Sequence, residues 1–386
     1  ELLLRSLGFN AYRFSEREQL LILGRLLPFV EKNYNFIELG PRNTGKSYFY
    51  RQLFNKSILV SGGKTTVANL FYNLATKEVG LVGKNDVVAF DEVAYVDFED
   101  NTAVQILKDY MESGVFSRGH GEISAEASLV FLGNINRPLR VILNENDLFE
   151  PLPKLMKDMA LIDRFHFYLP GWELSKLQEA DFTDKDGLST SYLSLAFSDL
   201  REFDLTSVVE RYFKFDSELD VRDKRAIKKT VSGYLKLLHP DSEYTKQDVK
   251  RYLEVAIEGR KRVKTQLNKM GNFEYKELNF EYLDRSSGDR YYPELPEGKI
   301  LKQFSRRLAA PGVVYVGEVI AEDEFALTEL IVSKEEGSGN ISFSNQIHQR
   351  LRQQIRRTFL FLQRGNLADD LNHKLLENNF YVQMNP

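Results

Sequence analysis

The 386 residues leave room for two or three domains, and a hydrophobic content of 42% with 12% aromatic residues excludes a disordered chain. A net charge of −4, from 52 basic and 56 acidic side chains, neither requires nor forbids a polyanionic partner, because nucleic-acid binding depends on local patches. Cysteine is absent, which excludes disulfides, thiol nucleophiles and Cys-based zinc sites, and no apolar run approaches the roughly 20 residues that span a bilayer.

The chain opens at Glu1 inside an apolar run, Leu2 to Leu7, and reads as a piece of a longer polypeptide. Residues 1–35 read as helices, with helical spacing from Glu16 to Leu27 and an interruption at Pro28. The apolar run Phe36-Ile37-Glu38-Leu39 then enters Gly40-Pro41-Arg42-Asn43-Thr44-Gly45-Lys46-Ser47, a complete G-x-x-x-x-G-K-S phosphate loop, and a helical segment follows to Phe54. Strand, loop and helix in that order are the context the motif requires. Its glycines let backbone N–H groups turn towards phosphates at a helix N-terminus. Lys46 would reach the β- and γ-phosphates and the Ser47 hydroxyl would ligate Mg²⁺, so ATP and Mg²⁺ are the expected cofactors.

Further strands are expected at 57–60, 87–90, 128–132 and 165–169, and helices at 46–54, 65–75 and 102–112. This alternation signals a parallel α/β sheet covered by helices. The strand Val87 to Phe90 ends in Asp91-Glu92, and the C-terminal ends of parallel strands line the ligand crevice. Asp91 would hold the metal through water and Glu92 would polarise the attacking water. Past Trp172 the pattern turns helix-rich to about Met270, and a polar stretch from Arg285 to Gly298 reads as linker or surface loop. From 311 onward come strands at Val313–Ile320 and Ala326–Val332 and a basic amphipathic helix near 345–363.

Three features resemble the AAA+ class. Ser128 to Leu132 ends in Gly133-Asn134, similar to the sensor-1 position, with Asn136 as an alternative; Arg164 in Leu161-Ile162-Asp163-Arg164-Phe165 resembles an arginine finger, which acts only in an oligomer. Arg222, opening a helix in Val221-Arg222-Asp223, resembles a sensor-2 arginine, particularly that of minichromosome maintenance helicases, with Arg225 as an alternative.

More specific strings then accumulate: Ser6 to Asn10, Leu27 to Glu31, Ser61-Gly62-Gly63, Phe116-Ser117-Arg118-Gly119, Phe167 to Glu173, and Ala256-Ile257-Glu258-Gly259-Arg260-Lys261-Arg262-Val263-Lys264. Through them the chain resembles the BrxL-like, Lon-related AAA+ proteins of bacterial BREX phage-defence systems, from residue 1 to about 270. The resemblance implies an AAA+ domain over 1–172, a helical lid over 173–272, a linker over 273–310 and part of a Lon-protease-like domain over 311–386. It implies a ring motor, hexameric or doubled into a dodecamer, that encircles double-stranded DNA beside other phage-defence proteins, with a further domain before residue 1. The absence of cysteine and the need for ATP point to a cytoplasmic protein, and the lack of a long apolar run to no membrane partner. Arg118 and His120 would line a pore hairpin, and Arg260, Lys261, Arg262 and Lys264 would form a phosphate-contacting face; the alternative for that face is a solvated lid helix. The region after Pro311 is similar to the opening of a Lon-type protease domain, but no serine or lysine occupies a matching dyad position, so no peptidase residue is assigned. A protein-unfolding motor and a nucleotide-switched DNA clamp are the alternatives.

Overall fold

The computed structural model describes residues 1–51, 54–98, 101–118, 121–137, 141–143, 148–270, 280–297, 312–321, 324–344, 347, 349–364 and 375–384. They fall into two compact units, Glu1–Leu295 and Pro296–Pro386. Much of the expected linker, at 273–279 and 298–310, lies outside the described residues.

The first unit is built on five parallel strands: β1 Asn35–Gly40, β2 Ser57–Thr65, β3 Val87–Phe98, β4 Ser128–Asn134 and β5 Phe167–Pro170, in the spatial order β2-β3-β4-β1-β5. The apolar runs of β1, β3, β4 and β5 are buried on both faces, as a sheet covered on both sides demands, while Ile58, Leu59 and Val60 of the edge strand β2 are half-buried. Phe36, Ile37 and Leu39 of β1 are all buried, and each contributes about 1.5–3 kcal/mol relative to exposure. The inserted β4 separates the strand of the phosphate loop from the strand of Asp91, and register pairs Asn134 with Gly40.

Helices α1 (Glu16–Gly24), α2 (Lys46–Arg51), α3 (Asn101–Ser113), α4 (Thr190–Leu200), α5 (Val221–Leu238) and α6 (Lys246–Lys269) surround the sheet. Sequence-local capping boxes start α1 at Ser15/Glu18, α5 at Asp220/Asp223 and α6 at Thr245/Asp248. Long α5 and α6 lie against each other and close over β5. Gly259 makes this possible: a Cβ there would stand 2.2 Å from the Phe167 ring. Tyr34 and Thr230 join β1's approach to α5 through a 2.6 Å hydroxyl hydrogen bond. The expected helix over 65–75 is instead a short helix, Val67–Leu70, and a hairpin of Tyr72–Asn73 with Glu78–Val79. Asn73 Oδ1 accepts from Ala75 and Thr76 N–H, and Lys77 takes φ 58°, so an Asx turn outcompetes the helix.

The second unit carries a four-stranded sheet of β6 Val313–Ala321, β7 Glu324–Glu336, β8 Ile341–Phe343 and β9 Asn378–Met384, ordered β6-β7-β9-β8. Helix α7 (Gln349–Arg364) buries Leu351 and Phe359 in this unit, and the Phe359 ring meets Phe380 edge-on. Among the described residues, no helix is long and apolar enough to cross a membrane.

Candidate functional site

The C-terminal ends of β1 and β4, and the part of β3 just past its pairing with β4, open onto one cleft of about 340 Å³, lined by Arg42 to Tyr48, Asp91, Glu92, Gly133 and Asn134. Two left-handed residues shape the loop, Asn43 at φ 66° and Gly45 at φ 79°. Glycine at 40 is required by packing, because a Cβ would stand 2.5 Å from the backbone of Gly171. The Lys46 ammonium is buried and donates to the carbonyls of Gly40 (3.1 Å) and Pro41 (2.5 Å). Burial holds its pKa below the ordinary lysine value, while the charges of Glu38 and Asp91 oppose that shift.

Ser47 Oγ donates to Asp91 Oδ1 at 2.9 Å, so the hydroxyl of α2 and the carboxylate of β3 already stand side by side. Both are hard oxygen donors, and this pair beside a phosphate loop that leads into the N-terminus of α2 fits a magnesium–triphosphate group. Past Asp91 the ladder between β3 and β2 breaks and resumes only at Val96. Glu92 sits in that break at φ 48°, a left-handed conformation costing of order 1 kcal/mol in a non-glycine residue, and its N–H donates to Asp91 Oδ1 at 3.0 Å. The bulge leaves the Glu92 side chain exposed on the cleft wall, opposite Asn134.

Beneath the loop lies a feature that sequence reading missed. Arg25 and Glu38 form a fully buried bidentate pair at 2.6 and 3.0 Å, with the guanidinium 5.2 Å from the centre of the Phe49 ring. A charged residue inside the otherwise apolar β1 was the available signal, since a buried carboxylate requires a partner.

Arg164 and Arg222 stand together and away from this cleft. Glu112, near the end of α3, lies 3.2 Å from Arg164 Nε and 2.9 Å from Arg222. Arg222 also reaches Asp163 Oδ2 at 3.1 Å, and Arg225 donates to the Glu112 carbonyl at 2.7 Å. The structure thus groups the expected finger and the expected sensor-2 arginine on one carboxylate, rather than placing Arg222 in its own protomer's cleft.

Residues 1–281 match the family model described as "Lon-like protease BrxL-like, ATPase domain", a span that takes in the whole cleft and the arginine group. The chain belongs to the BrxL family. It is 44% identical over 330 residues to the Lon-like protease BrxL of Escherichia coli O9:H4 (strain HS), covering 86% of this chain and 47% of that protein. It is 45% identical over 316 residues to the Lon-like protease BrxL of Bacillus cereus (strain H3081.97), covering 82% of this chain and 47% of that protein. The chain therefore spans about half the length of the curated relatives it matches.

In this BrxL-family chain the basic stretch of α6 faces inward, which corrects the expected phosphate-contacting face. Arg260 is buried, bound by Asp163 and Asp223 at 2.7 Å each and donating to the carbonyls of Asp163 and Phe165. Lys264 reaches Asp220 at 2.7 Å and Asp163 at 3.0 Å, Arg262 lies 3.4 Å from Glu173, and Lys261 donates to the Pro293 carbonyl. These charges lock α6 to the start of α5, to the segments on either side of β5 and, through Lys261, to the chain at Pro293; the close approach of Gly259 to Phe167 turns this helix face into the protein. Burial pushes the Asp223 carboxyl above its usual range, against the pull of Arg260 and Lys264. The hairpin before β4 is present, with Val115–Arg118 paired to Gly121–Ser124 and Phe116 buried. His120 lies outside the described residues.

Proposed function

We propose that this chain is the ATP-hydrolysing core of an AAA+ ring that acts on double-stranded DNA in the cytoplasm as part of phage defence. The observation that carries the reading is the convergence of Lys46, the Ser47–Asp91 pair, Glu92 and Asn134 on one cleft formed by three adjacent parallel strands. The loop amides and Lys46 bind the triphosphate, and Ser47 and Asp91 hold Mg²⁺, which when bound supplies charge neutralisation between the phosphates. Glu92 accepts the proton of the attacking water, and the Asn134 amide orients that water without adding charge.

The grouping of Arg164 with Arg222 supports a ring. Both guanidiniums act on the γ-phosphate of a neighbouring protomer, exchanging Glu112 for phosphate, and such a contact is worth about 10³–10⁵ in turnover. The hairpin carrying Arg118 and His120 is proposed to follow the DNA backbone. The naming of both relatives as Lon-like proteases favours a second reading, in which the same motor unfolds polypeptides.

The test is ATP turnover with and without duplex DNA for the unaltered protein, Glu92→Gln and Arg118→Ala. Stimulation by DNA that Arg118→Ala abolishes, with basal turnover retained, supports the DNA motor. Turnover indifferent to DNA but raised by an unfolded polypeptide overturns it in favour of the second reading.

A further inference from the structure

A second cleft, of about 590 Å³, opens between α5, the segment after α4 and the turn before β1. Its wall holds seven basic and two acidic side chains. Three of the cations are neutralised locally: Lys236 by Glu31 at 2.8 Å, Lys32 by Glu126 and Glu202, and Lys228 by Glu210 at 2.6 Å. The other four have no carboxylate partner among the described residues.

Arg201 donates to the carbonyls of Pro28 (2.9 Å) and Glu126 (2.6 Å), Arg225 to that of Glu112, and Lys229 to those of Lys32 (2.6 Å) and Asn33 (3.2 Å). Carbonyls orient these cations without cancelling their charge. Lys224, the fourth, is half-buried on the same wall. Asp204 forms no ion pair with them: its carboxylate caps its own turn through the N–H and hydroxyl of Thr206 at 2.9 and 2.6 Å, and the charges of Lys236 and Lys229 reach it only over a longer range. The crowding is felt at Lys229, whose pKa falls to about 8 through burial, then through the charge of Arg225, with Glu31 opposing. On the rim, Phe203 is 61% exposed and lines the same cleft, an aromatic face next to unneutralised cations.

Phosphate on basic side chains and a base on an exposed ring is the chemistry of nucleotide recognition. We propose that this cleft binds a nucleotide unit, its phosphate on Lys224, Arg225 and Lys229 and its base against Phe203, separately from the phosphate-loop cleft. The nucleotide comes either from a nucleic-acid strand or from the free pool. The site stands on residues outside the hydrolytic cleft and does not rest on ATP hydrolysis.

The experiment uses the full chain carrying Lys46→Ala, which disables the phosphate loop, and two probes: a fluorescent 12-nucleotide oligothymidylate and fluorescent ADP. Lys224→Gln, at a half-buried position, and separately Phe203→Ala are compared in anisotropy titrations at several salt concentrations. A loss of about fivefold or more in oligonucleotide affinity in both variants, with a salt slope lower by about 0.7 in the lysine variant, assigns the site to a strand. The same losses for ADP assign it to the free nucleotide. Acetylation footprinting locates the site, with Lys224 protected by the probe that binds. Unchanged affinity for both probes overturns the proposal, and a loss in the lysine variant with Phe203→Ala unaffected overturns the nucleotide assignment.

Discussion

Replacing Glu38 by leucine tests the floor of the phosphate loop. Arg25 and Glu38 are 1% and 0% exposed, and their two hydrogen bonds leave neither charge in contact with water. Removing the carboxylate strands a buried guanidinium, which costs about 3–5 kcal/mol. At about 2–4 °C per kcal/mol for a unit of this size, the midpoint of thermal unfolding falls by roughly 6–20 °C. Replacing both residues, Arg25→Met with Glu38→Leu, removes the stranded charge and keeps the volume apolar, so most of the loss returns. Differential scanning fluorimetry on the four proteins of this cycle gives the coupling directly. A single variant that melts within about 2 °C of the parent, or a double variant as unstable as the sum of the singles, refutes the reasoning.

Three further outcomes follow from the same geometry. Gly259→Ala drives a methyl into the Phe167 ring, at 2.2 Å before relaxation, and destabilises the protein by about 1–3 kcal/mol, read as a lower denaturant midpoint at unchanged slope. His166 is held neutral, well below the ordinary histidine pKa, first by burial and then by the charges of Lys229, Arg225 and Arg260, and its Nδ1 accepts from Asn35 N–H at 3.0 Å. The unfolded chain therefore takes up a proton that the folded one refuses: stability is complete above about pH 6.5 and declines below it by up to about 1.4 kcal/mol per pH unit, a slope that His166→Asn flattens in melts between pH 7.5 and 5.5. Mixing Lys46→Ala with Arg164→Ala, each inactive alone, restores part of the ATP turnover, because mixed rings pair an intact loop with an intact finger; no recovery after subunit exchange contradicts action between protomers.

What was legible in the sequence is what local chemistry dictates. The phosphate loop, the Asp91-Glu92 pair after an apolar run and the Gly133-Asn134 strand end are recognisable from neighbouring residues, and the parallel sheet brings them to one cleft. Charged residues on α6 were misread because their meaning is not local: Arg260 is matched by Asp163, 97 positions away, and by Asp223, 37 away. The Arg25–Glu38 pair and the meeting of Arg164 and Arg222 on Glu112 depend likewise on tertiary placement. The broken helix at 65–75 fell to a turn in which one asparagine side chain holds two amides, a local signal overridden in reading by apolar spacing.

The most direct measurement of the central claim is single-turnover hydrolysis of radiolabelled ATP by the unaltered protein, Lys46→Ala and Glu92→Gln, with bound nucleotide quantified in parallel. The account predicts that Lys46→Ala binds no ATP, while Glu92→Gln binds it but hydrolyses it at least about 10²-fold more slowly. Undiminished hydrolysis by Glu92→Gln, or ATP bound equally well without Lys46, would contradict it.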